Sequence, residues 1–193
     1  MNTDAPAPGS DLADLIVHLA RLGQSCGRAN GAEPLTAAQW TALRYFARAN
    51  RFSRTPSAFS EFHATTRGTA SQTVKSLVAM GFLTRKSHET DGRSTVINVT
   101  EAGHAQLRAD PLSDLRQVLA NLPDDTRTAL ANALGCAITD LARLRDTPVF
   151  GTCSDCSHCE PGEATSYCHC TQSLLTPPEM HAICVDFQRG RRA

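Results

Sequence analysis

TPSAFSEFHATTRGTASQTVKSLVAMGFLTRKSHETDGRSTVINV, residues 55–99, is the stretch whose reading decides the fold. Thr55-Pro56 reads as an N-cap and a first helical residue, opening a short helix with Phe59 and Phe62 inward. Thr65 or Thr66 caps the next helix, whose inner face is Ala70, Val74, Leu77 and Val78 and which Gly81 stops. Two short helices across a tight turn, the second polar and basic outside, make a helix-turn-helix. The pattern then switches to period two. Leu83 to Lys86 and Thr95 to Val99 read as strands, with Asp91-Gly92 at the hairpin tip. A helix-turn-helix followed by a basic hairpin is a winged helix.

In that arrangement the second helix enters the major groove of DNA, and the hairpin reaches along the backbone or into the minor groove. The outer face of the second helix offers Arg67, Thr69, Ser71, Gln72, Lys75 and Ser76. Arginine can read guanine and glutamine adenine through paired hydrogen bonds. Arg85, Lys86, His88 and Arg93 cluster in the hairpin, where phosphates attract them. Residues 36–100 carry nine Lys/Arg against three acids, a net +6, within a 193-residue chain whose 19 basic and 19 acidic residues cancel. The flanks are therefore acidic.

Working outward, residues 1–10 read as a flexible lead. Ser10 can cap a helix carrying Leu12, Leu15, Ile16, Leu19 and Leu22, which Gly23, Gly27 and Asn30-Gly31 end. Thr36 and Gln39 form a capping box for a helix with Trp40, Leu43, Phe46 and Ala47 inward. A long basic connector, Arg48 to Arg54, leads into the helix-turn-helix. Thr100 caps a helical stretch through Leu107, Leu115, Val118, Leu119 and Leu122, kinked at Pro111. Pro123-Asp124-Asp125 opens another, with Leu130, Leu134, Ile138, Leu141 and Leu144. The organisation is a lead at 1–10, a dimerisation helix at 11–35, a winged helix-turn-helix at 36–100, dimerisation helices at 101–147 and a cysteine-rich tail at 148–193. The fold class is mainly α with a small β-hairpin wing. The leucine stripes of three helices exceed what one small winged domain buries, so a homodimer is expected.

Composition bounds the rest. With 41% apolar and 20% charged residues a packed core is feasible. No apolar run approaches the ~18 residues of a membrane span. Met1 to Asp11 carries neither a basic nor an apolar targeting segment, so a cytoplasmic protein is expected, with free or metal-bound thiols rather than disulfides. Serines and histidines are scattered and no catalytic set stands out, so an enzyme is not expected.

Six of eight cysteines fall between Cys153 and Cys184, as Cys153-x2-Cys156-x2-Cys159-x8-Cys168-x-Cys170-x13-Cys184. A Cys-x2-Cys turn lets two sulfurs reach one metal, and four thiolates complete a tetrahedral site. The first three positions also copy the start of a ferredoxin-type run, without its Cys-Pro. Spacing alone leaves an iron–sulfur cluster, zinc and disulfides open, and we read it first as iron–sulfur with Zn2+ as the alternative. Thr176-Pro177-Pro178-Glu179 reads as a capping box for a short helix bringing Met180, Ile183, Cys184 and Phe187 to one inward face. Such a small tail needs a staple. Cys26 and Cys136, beside leucine-rich faces, read as core cysteines.

Four strings carry a family resemblance: Leu35-Thr36-x-x-Gln39-Trp40-x-x-Leu43, Val74-x-x-Leu77-x-x-x-Gly81-Phe82-Leu83-x-Arg85, Asp91-Gly92-Arg93-Ser94 and Val99-Thr100-x-x-Gly103. Over about residues 12–146 the chain resembles the MarR family of bacterial regulators. The resemblance implies a homodimer on a pseudo-palindromic operator in duplex DNA, usually as a repressor that an effector releases. It also implies a wing shaped by Asp91 and Arg93, with Arg93 reaching DNA. The chain departs from that pattern in Phe59, Phe62 and the long connector. The tail resembles the extension of a subset of such proteins, which implies Cys153, Cys156, Cys168 and Cys184 as metal ligands, with Cys159 and Cys170 as alternates. The reading is a DNA-binding regulator whose tail centre senses redox state or metal and shifts the dimer helices. The rivals are the same regulator with purely structural zinc, and an iron–sulfur redox protein that uses the winged domain as a docking scaffold.

Overall fold

The computed structural model describes residues 11–24, 35–87, 95–163 and 165–190. Its helical part runs α1 (Leu12–Gln24), α2 (Ala37–Arg48), α3 (Pro56–Phe62), α4 (Arg67–Ala79), β1 (Leu83–Ser87), β2 (Thr95–Val99), α5 (Glu101–Leu107), α6 (Leu112–Ala120) and α7 (Asp124–Leu144). The tail follows as β3 (Gly151–Thr152), β4 (Cys159–Glu160), β5 (Ser166–Cys168), β6 (Ser173–Leu175) and β7 (Ile183–Cys184), with 3₁₀ turns at Cys153–Asp155 and Pro177–His181. Among the described residues, no helix is long and apolar enough to cross a membrane.

One local device starts four helices. Thr36, Thr55, Thr66 and Thr100 each accept, on the side-chain oxygen, the N–H three residues on: Gln39, Ala58, Thr69 and Gly103, at 3.0–3.2 Å. Each cap satisfies a helix-end donor, and its loss costs ~1 kcal/mol. At α1 the cap is Asp11, whose carboxylate accepts the Ala13 N–H at 2.9 Å; Ser10, the expected cap, lies outside the described residues.

The core of the winged unit is fully buried Leu43, Tyr45, Phe46, Phe59, Val74, Leu77, Leu83 and Ile97. Gly81, at φ 77°, turns the chain out of α4 in the left-handed region that glycine tolerates. β1 and β2 then pair antiparallel from Leu83↔Val99 to Ser87↔Thr95. Thr100 closes the hairpin, donating its hydroxyl to the Gly81 carbonyl at 2.7 Å. The motif Val99-Thr100-x-x-Gly103 acquires a physical reason here, since a Cβ at Gly103 would sit 2.3 Å from the Phe82 carbonyl oxygen. Gly103→Ala must push α5 off this turn, and a loss of about 1–3 kcal/mol is expected from overpacking, read as a lower melting temperature. An unchanged melting point would show that α5 shifts freely.

Two expectations are corrected. Pro111 does not kink one helix; it stands at the break between α5 and α6. The break is held by Asp110, buried, whose carboxylate accepts hydrogen bonds from Arg44 at 2.6 and 3.0 Å, Arg116 at 3.0 Å and the Leu112 N–H at 2.9 Å. The chain from Met180 to Phe187 is not one helix either. The 3₁₀ turn ends at His181, and Ile183 and Cys184 form β7, antiparallel to β3 with Gly151 opposite Cys184. Both are buried as expected, but by the strand's backbone pairing and the floor beneath it. The Thr176 box survives: the Glu179 carboxylate accepts from the Thr176 N–H at 2.9 Å and its hydroxyl at 2.8 Å.

Candidate nucleic-acid interface and thiol cluster

On α4, Arg67, Thr69, Gln72 and Lys75 are exposed on the outer face, while Ala70, Val74 and Leu77 seal the inner one. Ser71 is half-buried. Ser76 is occupied from behind, accepting the Gln39 side-chain amide of α2 at 2.9 Å. Arg85 and Lys86 are exposed on β1, opposite Ile97 and Val96. Alternation along a strand sends these two neighbours to opposite faces of the hairpin. His88, Asp91 and Arg93, also expected in the wing, lie outside the described residues. The described part of the site is thus a basic, polar helix face beside a basic strand, with hydrogen-bond donors suited to phosphates and base edges.

The connector between α2 and α3 is the feature that sequence reading left unexplained. Ile97 of β2 donates its N–H to the Arg54 carbonyl at 2.8 Å, and Arg54 donates to the Ala49 carbonyl at 3.0 Å. The connector is therefore tied to the base of the wing. Its other side receives the tail. Ala49 and Ile183 form a parallel bridge, and the Asn50 N–H donates to the Ile183 carbonyl at 2.9 Å. The Val185 N–H donates to the Ser53 hydroxyl at 2.9 Å, and Ile183 joins the core of the winged unit. Arg51 reaches outward to Glu179 at 2.7 Å and to the Leu174 carbonyl at 2.8 Å. The aromatic departures serve the same junction: Phe62 lies 4.8 Å from the Tyr45 ring and 5.1 Å, edge-on, from Phe150 at the start of the tail.

The tail folds β4, β5 and β6 into an antiparallel meander, placing Cys159 opposite Cys168. Cys153, Cys168 and Cys184 are buried; Cys156 and Cys159 are half-buried; Cys170 is exposed. Burial pushes the Cys153 thiol up to about 12, and crowding by Cys184, Cys168, Cys159 and Cys156 adds to it. The four expected ligands thus share one neighbourhood. Cys159, expected as an alternate, belongs to it too, with its sulfur 3.8 Å from that of Met180. The Gln188 N–H points at the Cys156 sulfur at 3.5 Å. Burial also raises the Cys184 thiol.

These cysteines are free thiols, and among the described residues no three His, Cys, Asp or Glu side chains are drawn into a coordination set. What the chain supplies is a group of soft donors in a crowd that resists deprotonation. A thiophilic cation or cluster fits that chemistry, because its charge would offset the repulsion between neighbouring thiolates. Cys136 does not match the core reading: it is exposed on α7. Cys26 lies outside the described residues. α1 buries none of its residues, and Leu12, Ile16 and Val17 join Ile138, Leu141 and Leu144 of α7 among the exposed large apolar side chains.

A capped helix-turn-helix with an exposed basic second helix and a paired hairpin defines a winged helix. Residues 33–94 match the model of the MarR family. An uncharacterized HTH-type transcriptional regulator of Mycobacterium leprae is 28% identical over 124 residues, spanning 63% of this chain and 85% of the relative. Among solved structures, a MarR transcriptional regulator from Methanosarcina mazei aligns with a TM-score of 0.57 at 21% identity, covering 68% of this chain and 96% of its own. FabT of Streptococcus pneumoniae, solved in complex with DNA, aligns at 0.54 and 16% identity, covering 69% and 94%.

Proposed function

We propose that this protein is a cytoplasmic, homodimeric, DNA-binding transcription regulator, a repressor, whose operator affinity is tuned by an iron–sulfur or other metal centre on Cys153, Cys156, Cys168 and Cys184. Two winged units grip the half-sites of a pseudo-palindrome about one helical turn apart. α4 lies in the major groove with Arg67, Thr69, Ser71, Gln72 and Lys75 facing bases and phosphates, and Arg85 and Lys86 follow the backbone. The observation that carries the regulatory part is the docking of the thiol-bearing tail on the connector of the winged unit. When bound, the centre supplies positive charge that holds the thiolates together, and an iron–sulfur centre adds electron exchange. The chain's own residues bury three of the sulfurs and fix Cys184 against the connector. Structural zinc is the second reading. It is favoured by the small buried cluster of the tail itself, Cys153, Cys168 and Leu175.

The deciding experiment measures operator affinity with the centre intact, oxidised and removed, alongside metal content and visible absorption. Unequal affinities support regulation; equal affinities leave a structural staple, since a cofactor without differential affinity shifts no equilibrium. DNA reading has its own test. Arg85→Ala should weaken binding to all sequences and lower the salt slope by ~0.9, as loss of one phosphate contact does. Gln72→Ala should instead relax preference at one base position by about 1–3 kcal/mol. Unchanged binding in both folded variants overturns this assignment.

A further inference from the structure

The basic connector carries charge that the DNA face does not use. Of the nine Lys/Arg in residues 36–100, Arg67, Lys75, Arg85, Lys86 and Arg93 belong to that face. Arg44 is paired with Asp110. Arg48, Arg51 and Arg54 remain. Together with Glu179 and His181 of the 3₁₀ turn in the tail, they line an open cavity of about 430 Å³ between the connector and the tail.

Much of the donor capacity around this cavity is uncommitted. Glu179 is the carboxylate among the lining residues, and both of its oxygens are taken. Oε1 accepts from Arg51 at 2.7 Å, and Oε2 accepts from the Thr176 N–H and hydroxyl. Arg54 donates Nε to the Ala49 carbonyl and Nη1 to Asn98 at 3.5 Å, which leaves its Nη2. Among the described residues, the side chains of Arg48 and His181 make no hydrogen bond or ion pair.

We infer that this cavity binds a small organic polyanion, a molecule with two or more carboxylate or phosphate groups, and that the bound anion clamps the tail to the winged unit. Guanidinium groups hold carboxylates and phosphates through paired, charge-assisted hydrogen bonds. The volume suits a small molecule. A duplex presents its phosphates on a convex surface, whereas these cations line a cleft with the tail as its second wall. Arg48 and Arg54 belong to the winged unit. His181 stands just before Ile183, whose carbonyl accepts from the Asn50 N–H, and the Val185 N–H donates to the Ser53 hydroxyl. An anion joined to both walls adds to the Arg51–Glu179 pair and slows the opening of these backbone contacts, because it binds only the docked state. The site uses none of the thiols, so it stands apart from the metal-centre reading.

Arg48→Gln and His181→Ala change exposed side chains, so both variants should fold. Full-length wild type and both variants are titrated by calorimetry at physiological salt with phosphoglycolate, succinate and, as a singly charged control, acetate. Wild type should bind phosphoglycolate or succinate saturably at one site per chain, and acetate not at all. The tighter of the two probes tells a phosphate-bearing ligand from a pure carboxylate. Arg48→Gln should weaken that binding about tenfold or more, and His181→Ala about threefold or more, through lost hydrogen bonds. In hydrogen exchange, the saturating anion should slow the Asn50 and Val185 amides of wild type and not those of Arg48→Gln at the same concentration. Binding that both substitutions leave unchanged, or amides that the anion does not slow, overturns the inference. So does the lack of saturable binding; if the salt slope on mixed-sequence duplex DNA then falls by ~0.9 in Arg48→Gln, this arginine belongs to a DNA phosphate instead.

Discussion

Asp110→Ala is expected to destabilise the fold by about 3–5 kcal/mol, measured by denaturant unfolding, because it leaves a buried cation without its partner. Asp110 is nearly fully buried, and Arg44, which meets it with two nitrogens, is only 12% exposed. Arg116 completes the group but is largely in solvent, so its own replacement should cost far less. The pH dependence follows. Burial alone would raise the Asp110 carboxyl, but hydrogen bonds from Arg44, the Leu112 N–H and Arg116, with the charge of Arg44, outweigh it and hold the pKa below the ordinary 3.8. A group depressed in the folded state contributes stability that is present above its unfolded pKa and is lost as pH falls through the folded one. Wild type should therefore lose stability more steeply than Asp110→Asn below about pH 4. Parallel acid profiles would remove Asp110 from the account of how α2, α5 and α6 hold together.

The second large effect is expected at the helix faces that the single chain leaves bare. Ile16 on α1 and Ile138 on α7 are 48% and 59% exposed. Apolar stripes of this kind mark association surfaces, and a two-fold partner is the occupant that the proposed function requires. Ile16→Glu combined with Ile138→Glu should give a folded monomer by sedimentation. Losing the tether between two half-site contacts should lower operator affinity by ~10²–10⁴-fold. A double variant that remains dimeric and binds as wild type would show that these stripes serve something else.

The four threonine caps, the glycine stop at Gly81 and the switch from helical to two-residue period are local features, and local features are legible in a sequence. Each depends on residues within four positions of one another, so α1 to α4, the hairpin, α7 and the exposed face of α4 followed from spacing, whereas α5 and α6 read as one kinked helix. The grouping of the tail cysteines was legible for a related reason: short Cys-x2-Cys turns keep sulfurs close whatever the rest of the chain does. What the tail rests on was not legible. Ile183 and Cys184 share their spacing with Met180 and Phe187 as a helix would, yet the pairing with Gly151-Thr152 and the hydrogen bonds to Asn50 and Ser53 draw them into a strand. Gly151-Thr152 lie about 30 residues away and Asn50 and Ser53 more than 130, and no periodicity reports contacts at either range. The long connector and the unusual Phe62 were visible as departures, but their purpose, a seat for the tail on the winged unit, exists only once the chain has folded. Asp110 was hidden for the same reason. A single aspartate before a proline looks like a helix break, and only packing brings Arg44 to it. Sequence therefore determined most of the elements and where the basic residues and thiols cluster. Tertiary structure alone decided that the thiol-bearing tail abuts the winged unit, because that adjacency is made by backbone pairing and burial between distant segments.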